Sequence, residues 1–107
     1  MSYKIVTSAN FKRKAKPLIK KYPSIKSELA VLGKEIAENP TQGTSLGQNC
    51  YKIRLAIRSK STGKSGGARV ITYVVTADEQ VVLLTIYDKK NKANPESGEL
   101  DQLLNDL

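Results

Sequence analysis

The segment from Cys50 to Tyr87 constrains the fold of this chain most strongly, because it contains three runs with the character of β-strands. The first run is CYKIRLAIR (50–58), in which apolar and polar residues alternate with a period of two. A glycine-rich break separates it from ARVITYVV (68–75), and a short polar turn leads to VVLLTIY (81–87). Runs of this length, joined by turn-forming residues, predict a three-stranded antiparallel meander.

The first of these strands has one apolar face and one cationic face. The apolar face consists of residues of the same parity: Tyr51, Ile53, Leu55 and Ile57. Lys52, Arg54 and Arg58 lie on the opposite face, and Arg69 begins the next strand. Since no acidic residue occurs between positions 39 and 77, this cationic stripe is suited to binding phosphate groups.

Two helices are predicted before the meander. The first follows Ser8 as its N-cap, and Pro17 is expected to kink or restart it. The second follows Ser24 as its N-cap and ends at Asn39, which precedes a proline. Each helix has an apolar stripe at helical spacing: Phe11, Ala15, Leu18, Ile19 and Tyr22 in the first, and Ile25, Leu29, Leu32 and Ile36 in the second.

These elements combine into an α+β fold. A short N-terminal strand, YKIVT (3–7), precedes the helix hairpin, and a short helix with Ser97 as its cap is predicted after the meander. The leucines of that last helix fall at helical spacing: Leu100, Leu103, Leu104 and Leu107. We therefore predict one domain over residues 1–107, in which the helix hairpin packs on an antiparallel sheet of three to four strands.

The composition limits the chemistry of the chain. Eighteen Lys and Arg against ten Asp and Glu give a net charge of +8, which indicates a polyanionic partner, either nucleic acid or a membrane surface. The absence of histidine excludes Ser-His-Asp hydrolysis, paired-imidazole RNA cleavage and His-rich metal sites. Cys50 is expected to be a small buried hydrophobe. No apolar run approaches the length of a membrane span, and the N-terminus lacks a secretory signal, so a cytoplasmic location is predicted.

Several motifs together resemble the RelE/ParE toxin superfamily. These motifs are NP (39–40), YKIRL (51–55), GGARVITYV (66–74) and LLTIYDKK (83–90). The resemblance covers essentially the whole chain and is strongest to the HigB-like branch of RelE-type toxins, which carry a Gly-Lys-Ser/Arg-Gly-Gly loop before the central arginine. It implies an mRNA interferase without a cofactor, which enters the ribosomal A site, cleaves mRNA there, inhibits translation and is held inactive by a cognate antitoxin.

The resemblance assigns catalytic roles to Lys52, Arg54, Arg69 and Lys90. Metal-free RNA cleavage needs a base for the 2′-hydroxyl, positive charge on the phosphorane and a proton donor for the leaving 5′-oxygen. Lys52 is the candidate base, because neighbouring cations disfavour the protonated form of a lysine, while Arg54 and Arg69 would clamp the phosphate. Either Lys89 or Lys90 would bring one more cation to the leaving-group side.

Further residues are predicted to contact RNA. Arg58, Lys60 and Lys64 would touch the backbone of rRNA or mRNA. Well-studied RelE toxins have a tyrosine in the C-terminal segment that stacks on a base or aids proton transfer, but this chain has no aromatic residue after Tyr87. Tyr87 or Tyr73 could fill this role; Tyr73 has the parity of the central arginine, and the alternative is that it packs in the core.

Two other functions are compatible with the pattern. A ParE-like toxin would share the fold and poison DNA gyrase, although the complete set of Lys52, Arg54 and Arg69 favours the ribonuclease. A non-catalytic nucleic-acid-binding module is the second alternative, and the missing C-terminal tyrosine favours it. The first helix is strongly basic and would serve as a plain surface, an rRNA-binding face or an antitoxin site. We also expect an uncovered sheet edge and an apolar groove that an antitoxin strand or helix fills.

Overall fold

A mixed sheet forms the centre of the molecule. The computed structural model describes residues 2–60, 67–92 and 94–107. Within these ranges the sheet has five strands, which are β1 (Lys4–Thr7), β2 (Thr44–Gly47), β3 (Cys50–Leu55), β4 (Ala68–Val75) and β5 (Gln80–Asp88). Their order is β1-β5-β4-β3-β2, with β1 parallel to β5 and every other pair antiparallel. The predicted meander is therefore confirmed as β3, β4 and β5, and β1 and β2 extend it on either side.

Two helices, α1 (Ala9–Lys21) and α2 (Ile25–Glu38), cover one face of the sheet. The Ser8 hydroxyl accepts a hydrogen bond from the Phe11 N–H at 3.0 Å, so the predicted cap of α1 is confirmed. The core on this side joins the predicted helical stripes to the apolar face of the meander; its most deeply buried members include Phe11, Ile25, Leu32, Ile36, Ile53, Val70 and Ile86. The α+β class and the packing of a helix hairpin on the sheet are confirmed.

The first two helices differ from prediction at one position each. Pro17 neither ends nor restarts α1, which runs unbroken to Lys21. A proline removes one backbone hydrogen bond from the helix. The packing of the buried Phe11 and Ala15 against the sheet stabilises the helix despite this loss. Ser24 stands at the N-cap of α2 without capping it, since its hydroxyl donates to Glu28 Oε1 and bonds to Ser59 instead.

A third helix, α3 (Glu99–Asn105), packs on the opposite face of the sheet through Leu103. Gly98, with φ of 81°, occupies its N-cap position, so the prediction of Ser97 as the cap was wrong. Leu107 lies beyond the helix and is exposed. In the described ranges, no helix is long and apolar enough to cross a membrane.

The strand β3 is shorter than its sequence pattern suggested. It ends at Leu55, and a short 3-10 turn covers Arg58–Lys60. Ile57 is nevertheless buried in the core, as its parity predicted. Arg58 therefore does not continue the cationic face of β3.

Candidate active site

Three side chains form a row across the face of the sheet that α3 partly covers. Arg54 on β3 is directly opposite Arg69 on β4, and Arg69 is directly opposite Tyr87 on β5. The Val74 N–H donates a hydrogen bond to the Asn49 carbonyl oxygen, so the even-numbered residues of β4 direct their backbone hydrogen bonds toward β3. Arg69 is odd-numbered, and it therefore forms a non-hydrogen-bonded pair with Arg54. In such pairs the Cα atoms are only about 4.5 Å apart. The register thus places two guanidinium groups and one phenol side by side.

Arg69 is the buried member of this row. Only 3% of it is exposed, and its Nη1 donates to the carbonyl oxygen of Ala68 at 3.1 Å. Burial lowers the pKa of Arg69 from its ordinary value, the nearby Arg54 lowers it further, and Tyr87 opposes the shift. Since an arginine stays charged even so, the row holds a desolvated positive charge beside a second, exposed one.

Tyr87 is a neutral phenol in a charged environment. Burial raises its pKa to about 12, with a further increase from Glu99 and a decrease from Arg69. The ammonium group of Lys92 lies over the ring, 4.9 Å from its centroid. At neutral pH the hydroxyl therefore keeps its proton and is able to donate it.

Lys52 lies beside the row, two residues before Arg54 on the same face of β3. It is half-buried, and its Nζ donates a hydrogen bond to Oδ1 of Asn94. Asn94 belongs to the connection between β5 and α3. The C-terminal segment thus folds back over the sheet and meets the lysine that the sequence identified as the candidate base.

A bidentate ion pair fixes the other part of this connection. Lys92 Nζ contacts Glu99 Oε1 at 2.7 Å and Glu99 Oε2 at 2.8 Å, and the Glu96 N–H donates to Glu99 Oε1 at 2.9 Å. Burial alone would raise the pKa of Glu99, but these hydrogen bonds and the charge of Lys92 outweigh it, and the pKa is below its ordinary value. Glu99 is therefore an ionised partner that holds Lys92 above Tyr87.

Lys92 and Asn94 were not among the residues predicted from the sequence. The basic run after Tyr87 extends through Lys92, so charge alone was a usable signal for that residue. Asn94 carried no such signal, because a polar residue in a connection is ordinary and its contact depends on how the chain folds back.

The other predicted residues are placed as follows. Lys89 and Lys90 follow β5 directly, where the Lys89 N–H bonds to Gly67 O and the Lys90 N–H bonds to Asp88 Oδ1. Tyr73 is on the same face as Arg69, but its register partners are Cys50 and Val82, and it packs against the apolar cluster that contains them. Four positions along β4 separate it from Arg69, so it lies apart from the row.

Arg58 lies against α2, and with Arg54 it lines a pocket beside that helix. It bonds through its N–H and its guanidinium to Glu28 and through Nη2 to Ser27. The side chain of Lys60 and the whole of Lys64 fall outside the described residues, so their predicted RNA contacts stay predictions.

Cys50 behaves as the sequence predicted. Its side chain is fully buried, and burial raises the pKa of the thiol to about 11. A buried, neutral thiol is a poor nucleophile. It serves instead as a small apolar residue in the cluster under α3.

Comparison with known proteins identifies the class. Residues 3–105 match a family model described as the RelE toxin of the RelE/RelB toxin–antitoxin system, so the protein is a toxin of such a system. The chain belongs to the RelE toxin family, as its motifs indicated. In three dimensions it is similar to the E. coli toxin RelE, solved as a double mutant in the free state, with a TM-score of 0.60 and 19% sequence identity. That match covers 99% of this chain and 94% of the other, and it confirms the fold.

Proposed function

We propose that this toxin is a ribosome-dependent endoribonuclease that cleaves mRNA in the A site and so inhibits translation in the cytoplasm. The observation that carries the proposal is the row of Arg54, Arg69 and Tyr87 with Lys52 beside it. Positive charge and proton-transfer groups are together on one face, which is what metal-free cleavage of a phosphodiester requires.

The proposed reaction begins with removal of the proton from a ribose 2′-hydroxyl. Lys52 accepts this proton while the 2′-oxygen attacks the adjacent phosphorus. Arg54 and Arg69 bind the non-bridging oxygens, whose negative charge increases in the phosphorane. Because Arg69 is desolvated and fixed by the Ala68 carbonyl, its charge acts on the phosphate without reorganisation.

The 5′-oxygen leaves when it receives a proton, and a 2′,3′-cyclic phosphate remains on the upstream fragment. Tyr87 supports this step, because its phenol is protonated at neutral pH and lies directly across from Arg69. Lys90 is the second candidate donor, with Lys89 as an RNA contact, since both follow β5 at the end nearest the row. Tyr87 thus takes the role that a tyrosine in the C-terminal segment has in the resembling toxins.

Controlled expression in bacteria tests the proposal. Wild type, Lys52→Ala and Arg69→Ala are induced, and primer extension maps mRNA 5′ ends in translated and untranslated transcripts. We expect growth arrest with cuts confined to translated frames, and loss of both in the two variants. Arrest without cuts would instead favour a gyrase poison, and the absence of arrest would favour a nucleic-acid-binding module.

A further inference from the structure

The side chain of Lys52 is held at its tip by a residue from a distant part of the chain. Its Nζ donates a hydrogen bond to Oδ1 of Asn94, which lies 42 positions further along. In the part of the chain that the structure describes, no other side chain bonds to this ammonium group. A lysine has a flexible four-carbon stem, so a contact at its tip determines where the ammonium group points. Asn94 therefore selects one position of the candidate base beside Arg54.

The group that accepts this hydrogen bond is an amide and not a carboxylate. An amide oxygen directs an ammonium group through a hydrogen bond alone. A carboxylate in the same place would add a negative charge, which favours the protonated form of a neighbouring lysine. Since the chain has no acidic residue between positions 39 and 77, β3 supplies no such charge of its own. An asparagine at position 94 thus fixes the direction of Lys52 without a charge that would oppose its use as a base.

Asn94 is itself fixed by contacts on either side of it. Lys92, two residues earlier, forms the bidentate ion pair with Glu99, and the N–H of Glu96, two residues later, donates to the same carboxylate. Pro95 follows Asn94 directly, and a residue before proline is restricted to extended backbone conformations. The neighbours of Asn94 on both sides are therefore bound to Glu99, and this limits where the amide can lie.

The helix that begins with Glu99 is connected to the strand that carries Lys52. α3 packs on the sheet through the buried Leu103. Gln48 Nε2 donates to Asp101 Oδ1 at 3.0 Å, which joins α3 to the turn between β2 and β3. α3 is thus linked to β3 at two places, through Asp101 just before the strand begins and through Asn94 at Lys52. The lysine and the residue that holds it have a common support.

We infer that Asn94 is a positioning residue of the candidate active site, which directs the ammonium group of Lys52 toward the row of Arg54 and Arg69. The inference rests on the proposed ribonuclease function and extends it by naming how the base is placed. It does not require Asn94 to contact RNA. Loss of the amide oxygen should therefore slow the chemical step and leave the binding of ribosome-bound mRNA unchanged.

Removal of the amide oxygen is the first test. Cleavage of ribosome-bound mRNA is measured for wild type and for Asn94→Leu, which has a similar size and accepts no hydrogen bond. We expect kcat to fall by at least about tenfold, with KM within about twofold of wild type. Asn91→Leu is the matched control, because Asn91 is exposed in the same connection and bonds through its backbone to Asp88. An equal loss in both variants, or no loss in Asn94→Leu, would overturn the inference.

A change of charge separates positioning from a merely structural role. Asn94→Asp keeps an oxygen in the same place and adds a negative charge beside the lysine. Because a carboxylate favours the protonated form of a neighbouring ammonium group, the rise of kcat with pH should move to higher pH. The rate should return toward that of wild type at the alkaline end. Asn91→Asp adds the same charge elsewhere in the connection, and equal shifts in the two variants would overturn the inference.

The mobility of the ammonium group tests the contact without cleavage. NMR relaxation of the lysine ammonium groups should show Lys52 more ordered than Lys34, which is exposed on α2. In Asn94→Leu the two groups should be equally mobile. Equal mobility of Lys52 and Lys34 already in wild type would overturn the inference.

These outcomes distinguish the inference from the function on which it rests. Failure of wild type to cleave mRNA on ribosomes would overturn the ribonuclease function and the role of Asn94 together. Cleavage by wild type and by Asn94→Leu at the same rate would overturn the role of Asn94 alone.

Discussion

Arg69 is the most unusual single residue of the candidate active site, because it is a charged side chain buried beside a second positive charge. Arginine is rarely fully buried, yet Arg69 is only 3% exposed and adjacent to a second arginine. Burying a charge next to a like charge is unfavourable for folding, and it is a feature expected where binding of an anion supplies compensation. In our account that anion is the scissile phosphate.

The geometry of the guanidinium gives a first prediction. Arg69→Lys keeps the positive charge but loses the planar fork that binds two phosphate oxygens, so the cleavage rate should fall by about 10²-fold. Single-turnover cleavage of ribosome-bound mRNA measures the effect, and circular dichroism verifies that the variant folds. A rate within a few-fold of wild type would show that only the charge of Arg69 is used.

Tyr87 gives a second prediction, on pH. Its folded-state pKa of about 12 is above the ordinary value of 10.0, so the folded protein holds this proton more tightly than the unfolded chain. The resulting stability is fully present below about pH 10 and is lost as the pH rises toward 12. The loss over this range is on the order of 2 kcal/mol, and Tyr87→Phe should abolish this part of the pH dependence. Urea unfolding at several alkaline pH values provides the measurement.

A matched control separates this effect from general alkaline unfolding. Tyr3→Phe, which removes a phenol hydroxyl outside the row, is that control. Cys50, whose pKa is raised by burial to about 11, contributes to the slope in the same direction and remains in both variants. Identical slopes in wild type and Tyr87→Phe would contradict the environment assigned to Tyr87.

At the scale of elements, α2 and the β3–β4 junction use glycine in different ways. Gly33 lies inside α2, and a Cβ built there meets no atom within 4 Å. Gly67 precedes β4, and a Cβ there would lie 2.0 Å from the Leu55 carbonyl oxygen. The first glycine is therefore free to be replaced, whereas the second is required by the close approach of two backbones.

The third prediction follows from this contrast. Gly33→Ala should stabilise the protein by about 1 kcal/mol, because alanine loses less backbone entropy than glycine in a helix interior. Gly67→Ala should destabilise it, because Leu55 or β4 would have to move. Urea unfolding of the two variants beside wild type tests both signs. A stabilising Gly67→Ala would contradict the described approach of β3 to β4.

Elements with strong local patterns were the predictable part of the fold. Apolar and polar residues alternate strictly in β3, and one face of that strand had to be buried. The face that carries Lys52 and Arg54 was therefore predictable. The apolar stripes of α1 and α2 were equally clear. Caps were less certain: Ser8 caps α1, but Ser24 bonds to Ser59, a partner far along the chain that its local sequence did not predict.

Features that depend on distant parts of the chain were not predictable from local pattern. The parallel pairing of β1 with β5 joins residues more than seventy positions apart. The register of β4 and β5 shifts between Ile71, which pairs with Thr85, and Thr72, which pairs with Leu83. Neither strand contains a glycine or proline that would have indicated this shift. The contact of Lys52 with Asn94 likewise depends on the return of the C-terminal segment.

In the molecule as a whole, one face of the sheet forms the main core and the other carries the candidate active site. α1 and α2 build the main core on one face, and the other face has the cationic row with α3 beside it. The net charge of +8 favours encounter with a ribosome, whose surface is rich in phosphate. Because such binding releases counterions, we expect the affinity of the toxin for ribosomes to fall as salt is raised.

The most direct test of the central claim is cleavage of a defined mRNA in a purified translation system. The 5′-labelled mRNA is presented either free or on a ribosome with an empty A site. Wild type, Lys52→Ala and Arg69→Ala are compared under single-turnover conditions. Lys34→Ala is the control, since it removes an exposed charge on α2, across the sheet from the row.

We predict that wild type and Lys34→Ala cut only the ribosome-bound mRNA, at the A-site codon, and that both site variants are slower by at least about 10²-fold. The upstream fragment should end in a 2′,3′-cyclic phosphate. Cleavage by Arg69→Ala at the wild-type rate, or no cleavage by wild type on ribosomes, would contradict the account.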